Sequence, residues 1–187
     1  MDDLVDPSLI LTTVRGLYHP SSDYDGDRGR RCCCSRQRRS DGVTFGGPHG
    51  KKYSDLDLAS PGQTVRSITI RGNRRVDAVS LDVTNLAGQT TTLYHGGGGG
   101  HANTLTLAEN EHIIGIEAHW DKYYGKTRVM YVEFTTDAGN TISGGKPVKN
   151  IGMDSAPEGY QLGGFVGSCG KELDSVGAIW TSIEPVA

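Results

Sequence analysis

Long apolar runs are missing from this 187-residue chain, and so is any sustained helical period. No stretch reaches the roughly 20 apolar residues that a membrane-spanning helix needs. Cysteines are too few and too badly spaced for a disulfide framework. Cys32, Cys33 and Cys34 are consecutive and Cys169 stands alone, so neither a pairing pattern nor a metal-ligand spacing can be read. That usage fits a reducing compartment. A strong excess of either charge is also lacking: the net charge of −3 gives no reason to expect a nucleic-acid partner. Met1-Asp2-Asp3-Leu4-Val5-Asp6 is acidic where a secretory signal is basic, and no apolar segment follows it. A cytoplasmic or nucleocytoplasmic location is therefore the expectation, with leaderless secretion left open.

Glycine, by contrast, is abundant. Its 27 residues, with only 35% hydrophobic residues, favour a turn-rich β protein over a helical one. Residues 1–42 hold an acidic patch around Asp23, Asp25 and Asp27, then arginines interleaved with the three adjacent cysteines. This composition buries too little apolar surface to offset ordering entropy and reads as a flexible, poorly ordered extension. An alternative role for it is contact with anionic lipid or RNA through the basic residues, or membrane attachment through acylated cysteines. From Val43 onward short alternating segments are separated by Gly, Asn and Asp. Strands are predicted at 65–71, 78–84, 89–94, 104–107, 112–119, 128–135, 141–143, 163–168 and 175–183. Leu86-Ala87-Gly88-Gln89 and Asp137-Ala138-Gly139-Asn140 read as hairpin turns. Many short strands at this spacing predict an all-β sandwich, barrel or prism, with domain limits of 1–42 and 43–187.

Six motifs then fall in one order. They are Phe45-Gly46-Gly47-Pro48-His49-Gly50, Val76-Asp77-Ala78-Val79, His95-Gly96-Gly97-Gly98-Gly99-Gly100, Glu111-His112-Ile113-Ile114-Gly115-Ile116-Glu117, Val132-Glu133-Phe134-Thr135-Thr136-Asp137, and Gly164-Phe165-Val166-Gly167-Ser168 leading into Gly170-Lys171-Glu172-Leu173-Asp174. Together they make residues 43–184 resemble the jacalin-related lectins. The resemblance implies a β-prism of three four-stranded antiparallel sheets, carbohydrate binding, no catalysis and no cofactor.

Carried over residue by residue, it also implies a site. Gly50 would supply a backbone N–H, the Gly170 turn would offer the N–H groups of Lys171 and Glu172, and Asp174 would accept from two hydroxyls of one hexose. The side chains of Lys171 and Glu172 would point outward. Tyr123 or Tyr124 would stack on the sugar, with Trp120 turning instead into the core. Galactose-preferring relatives use an amino terminus freed by cleavage, so residues ahead of Gly46 lean the expectation toward mannose- or glucose-type glycans. A galactose-type lectin, or a β-prism interaction module with a vestigial site, is the alternative. Avidity would come from a homo-oligomer or a branched ligand. His49 stands where glycine is usual and stiffens the first motif. A second site would use Gly99 and Gly100 with Asn73 or Asp77, but Gly72–Asp77 reads one residue too long for a Gly-x-x-x-Asp spacing.

Other chemistry finds little support in the sequence. His112, Glu117 and His119 lack the His-Glu-x-x-His order, and alternation along a strand sets His112 on the opposite face. The five-glycine run lacks the Gly-Lys-Ser/Thr of a phosphate loop and reads otherwise as a pliable surface turn.

Overall fold

The computed structural model describes residues 39–185. The expectations for residues 1–38 lie outside them. Twelve strands follow one another: β1 (Arg39–Gly46), β2 (Lys51–Ser54), β3 (Thr64–Gly72), β4 (Val76–Thr84), β5 (Thr90–Gly96), β6 (His101–Thr106), β7 (Ile113–Tyr123), β8 (Lys126–Thr136), β9 (Thr141–Gly145), β10 (Asn150–Ser155), β11 (Tyr160–Cys169) and β12 (Leu173–Ser182). They form three four-stranded antiparallel sheets, ordered β1-β12-β11-β2, β5-β4-β3-β6 and β10-β7-β8-β9. This is the prism the sequence predicts. In each sheet an inner hairpin is flanked by an outer one, so the three sheets repeat one Greek-key arrangement. The first sheet is built from both ends of the domain, because β1 and β2 lie against β12 and β11.

Alternation explains the strands that were legible. In β3 the burial runs exposed, buried, exposed over Thr64-Val65-Arg66, which puts Val65, Ile68 and Ile70 inside. Inner strands are covered more fully, and nine of the ten residues of β12 are buried. The three sheets meet over one core that includes Leu81, Val132, Phe134 and Phe165, with the two Phe rings edge-on at 5.8 Å. Each such side chain contributes about 1.5–3 kcal/mol on burial. Three strands, β1, β2 and β10, were not predicted from alternation. All three are sheet edges. β2 reads Lys-Lys-Tyr-Ser and β10 Asn-Ile-Gly-Met-Asp-Ser, with no fully buried residue in either. β1 starts at Arg39, ahead of Val43.

Candidate functional site

Six turns converge on one end of the prism. Those at 73–75, 124–125 and 170–172 close the inner hairpins; those at 47–50, 97–100 and 146–149 close the outer ones. One repeated hydrogen bond locks each outer turn to a strand of its own sheet. The Gly47 N–H donates to the Asp174 carbonyl (2.9 Å), Gly97 N–H to Asp77 (3.0 Å) and Lys146 N–H to Met130 (2.8 Å). The residue before each donor is a glycine with positive φ: Gly46 at 119°, Gly96 at 121° and Gly145 at 90°. Residues with a Cβ rarely adopt that conformation. The bonds make Asp174, Asp77 and Met130 equivalent positions in the three repeats. A buried aliphatic precedes each (Leu173, Val76, Val129), and before it stand Glu172, Arg75 and Arg128.

The sequence-predicted residues of the first site come together. Gly50 has φ of 78°, and a Cβ there would collide with Asp174 Oδ2 and with the Cys169 carbonyl. Two loops 124 positions apart therefore touch. The Gly170 N–H closes its turn on the Glu172 carbonyl at 2.9 Å. Among the described residues, the amides of Gly50, Lys171 and Glu172 have no acceptor, and all three belong to the two turns that flank the buried Asp174 carboxylate. The Lys171 side chain is exposed.

Glu172 departs from the expectation that it points outward. Its carboxylate is gripped from both sides: Arg75 reaches Oε1 at 2.7 Å, and Arg128 Nε–H donates to Oε2 at 2.8 Å. The physical reason is the threefold repeat, which brings the equivalent positions 75, 128 and 172 together at the centre of the prism end. Arg128 also pairs with Asp174 Oδ1, and Arg75 lies 3.5 Å from Asp77. A chain of alternating charge thus runs Asp174–Arg128–Glu172–Arg75–Asp77. Arg75 and Arg128 were missed by the sequence reading. Superposing the three inner hairpins on their buried aliphatic residues is the signal that finds them.

Arg75 also decides between the two tyrosines. Its guanidinium lies over the Tyr123 ring, 4.7 Å from the centroid, so that face is covered. Tyr124, at φ 49°, is 91% exposed, its ring meeting Tyr123 in a T-shaped contact with centroids 4.7 Å apart. Trp120 stacks on Phe45 at 5.8 Å against the core, as the sequence reading allowed. Cys169 is half-buried, and burial pushes its thiol upward even though the Gly96 N–H lowers it.

The second loop pair repeats the first. Asn73 N–H donates to the Arg75 carbonyl at 3.0 Å, matching the Gly170 bond, so Asn73 and not Gly72 is the equivalent of Gly170. The Asn73–Asp77 spacing then equals that of Gly170–Asp174: counted from Gly72 the segment is one residue too long, and Asn73 stands where the first loop has its glycine. A Cβ at Gly100 would lie 2.7 Å from Asp77 Oδ2, and one at Gly99 3.1 Å from its Oδ1. Nor is the glycine run pliable. Arg71 donates to the carbonyls of Gly98, Gly99 and Gly100 at 3.0–3.2 Å, and the Tyr94 hydroxyl to Gly97 at 2.7 Å. His95, which opens the run, sets Nε2 2.9 Å from both Asp55 oxygens and stacks on Tyr53 at 3.9 Å. Burial raises the Asp77 carboxyl above the usual carboxylate range and Glu172 adds to this, while Arg75 and Arg71 oppose it. The third repeat has Met130 in place of the acid and forms no such pair.

The histidines weighed as metal ligands have other partners. His112 Nδ1 lies 3.0 Å from Asp137 and His119 Nε2 lies 2.7 Å from Glu117. No group of three or more metal-ligating side chains occurs among the described residues.

The comparisons with known proteins agree with the fold. The Secreted RxLR effector protein 19 of Plasmopara viticola is 31% identical over 140 residues, covering 72% of this chain and 77% of that protein. Jacalin-related lectin 40 of Arabidopsis thaliana is 27% identical over 134 residues, 70% of this chain but only 29% of the lectin. Among solved structures, wild-type Malaysian banana lectin superposes with a TM-score of 0.68 at 22% identity, covering 76% of this chain and 98% of its own. A mannose-binding jacalin-related lectin from Ananas comosus gives 0.67 at 19%, covering 77% and 98%. The family pattern of the jacalin-like lectin domain matches residues 43–179, and with it the chain belongs to the jacalin-like lectin domain family.

Proposed function

We propose that the chain is a non-catalytic lectin that binds a mannose- or glucose-type hexose between Gly50 and the 170–174 turn. The observation that carries this reading is the approach of the Gly50 backbone to Asp174 Oδ2, so close that no Cβ fits. One carboxylate oxygen is engaged by Arg128, but a carboxylate offers about four lone-pair sites. Asp174 accepts from the 4- and 6-hydroxyls of the hexose while the amides of Gly50, Lys171 and Glu172 donate to the sugar oxygens. Tyr124 supplies the exposed aromatic face. Gly46 lies at the end of a paired strand and presents no free amino group, which favours mannose or glucose over galactose. The Asp77–Gly100 pair, with Asn73 and Gly99, forms a second site of the same design.

A shallow site of this kind binds a monosaccharide at about millimolar strength, and useful avidity comes from branched glycans or a homo-oligomer. Calorimetric titration with methyl α-mannoside tests the reading. Asp174→Ala is expected to abolish the first site, and wild-type-like binding by that variant overturns the assignment. One contact favours a second reading, a β-prism interaction module with a vestigial site. Arg128 already occupies Asp174, and a protein that takes no mannoside, glucoside or galactoside would be that module.

A further inference from the structure

The net charge of −3 conceals a strong polarity. The converging turns and their flanks span 46–52, 71–77, 96–101, 121–128, 145–150 and 169–174. Within these segments eleven Lys and Arg face four Asp and Glu, a net +7. Over the rest of residues 42–185 a single cation, Arg66, faces eleven carboxylates, a net −10. The polarity sharpens at the surface. Three of the four rim carboxylates (Asp77, Glu172 and Asp174) are no more than 19% exposed at the side chain and tied to Arg75 or Arg128. Only Asp121 is exposed. Eight of the rim cations are exposed, among them Lys52, Arg74, Lys122, Lys126, Lys149 and Lys171. None of the eight takes part in an ion pair among the described residues.

We infer that this rim binds an acidic polysaccharide, a chain of pyranose rings bearing carboxylate or sulfate groups, with the acid groups held by the exposed cations around the hexose notch. The inference rests on the proposed saccharide site for its choice of a glycan; the charge argument is independent of it. A ring of like charges above a partner of opposite sign attracts and orients it over distances set by the Debye length, about 8 Å at physiological salt. Two other polyanions fit less well. Single-stranded nucleic acid is gripped by sets of aromatic platforms, and this rim offers one exposed tyrosine, Tyr124, itself packed in a T-shape on Tyr123, which Arg75 covers. An anionic membrane favours apolar side chains among the basic ones. The exposed large aliphatic residues here (Val43, Leu58, Leu86, Ile151 and Met153) all fall outside the rim segments.

The test measures binding of the full-length protein to polygalacturonate, heparin, neutral mannan, poly(U) and phosphatidylserine vesicles at low and high salt. The variants are Lys122→Glu/Lys126→Glu/Lys149→Glu and its Gln counterpart, which lie outside the hexose notch. The expected result is that polygalacturonate or heparin binds at least about tenfold more tightly than mannan at low salt. That advantage falls with added salt, by a further tenfold or so in the Glu variant and by less in the Gln variant. Methyl α-mannoside titration of the same variants is expected to be unchanged. Equal binding of acidic and neutral polysaccharides, or an undiminished Glu variant, overturns the inference and leaves the hexose reading standing. Tighter binding of poly(U) or vesicles than of both acidic glycans overturns it in favour of those partners. Charge-sensitive glycan binding without any mannoside binding supports the rim and removes the hexose notch.

Discussion

Arg128 is the residue on which the stability of the candidate site turns. A buried carboxylate such as Asp174 is tolerated because a guanidinium lies against it, and the same guanidinium reaches Glu172. Removing one partner of a buried ion pair leaves an uncompensated charge, so Arg128→Met is expected to lower unfolding free energy by about 3–5 kcal/mol in urea denaturation. Asp77 behaves differently. Its carboxyl is raised by burial, so the folded form holds its proton more tightly than the unfolded chain does. Ionised Asp77 therefore costs stability at neutral pH, and the cost shrinks as pH falls through the raised folded value and is gone below the unfolded one. Asp77→Asn should melt higher than the parent at neutral pH, with the difference shrinking in mild acid. At Gly50, substitution by Ala strains a left-handed backbone by about 1–2 kcal/mol. It also drives a methyl group into Asp174 Oδ2. Thermal melts together with mannoside titration should show both losses.

At the scale of the element, inner hairpins and outer hairpins were not equally readable. β3 and β4 alternate clearly between Val65 and Val83 because one face of each is pressed on the core. β10 alternates little because it is an edge strand, and its glycine is there for another strand's benefit. A Cβ at Gly152 would strike the Phe45 ring, which stacks on Trp120 below. Gly152→Val should therefore cost about 1–3 kcal/mol through overpacking, read from denaturation, and a drop in Trp emission would report the displaced stack. The glycine run after β5 is a case where composition misled. Five glycines in sequence look pliable, yet Arg71, 28 residues upstream of Gly99, holds three of their carbonyls. With Arg71→Ala, hydrogen exchange across 97–101 should quicken about tenfold or more, as bonds worth about 0.5–1.5 kcal/mol each are lost.

Over the whole molecule, the pairing of Gly50 with Asp174 was legible through ordered motifs, whereas the charge network between the two loop pairs was not. Both arginines reach Glu172 from repeats other than its own, and only the closed prism sets positions 75, 128 and 172 side by side. Total charge was uninformative for a similar reason. A sum over the sequence cannot register that cations gather in and beside five of the six converging turns while eleven of the fifteen carboxylates of residues 42–185 lie elsewhere.

The first sheet also orders events in time. β1 and β2 have no sheet to join until β11 and β12 exist, so on the ribosome the opening strands must wait for nearly the whole domain to be translated. The middle two sheets, made of consecutive strands, are free to pair earlier. A nascent chain halted before residue 160 would lack the Gly50–Asp174 notch entirely while already carrying the Asp77–Gly100 pair, which lies within one sheet of consecutive strands; of the two loop pairs, the first in sequence is the last that translation completes.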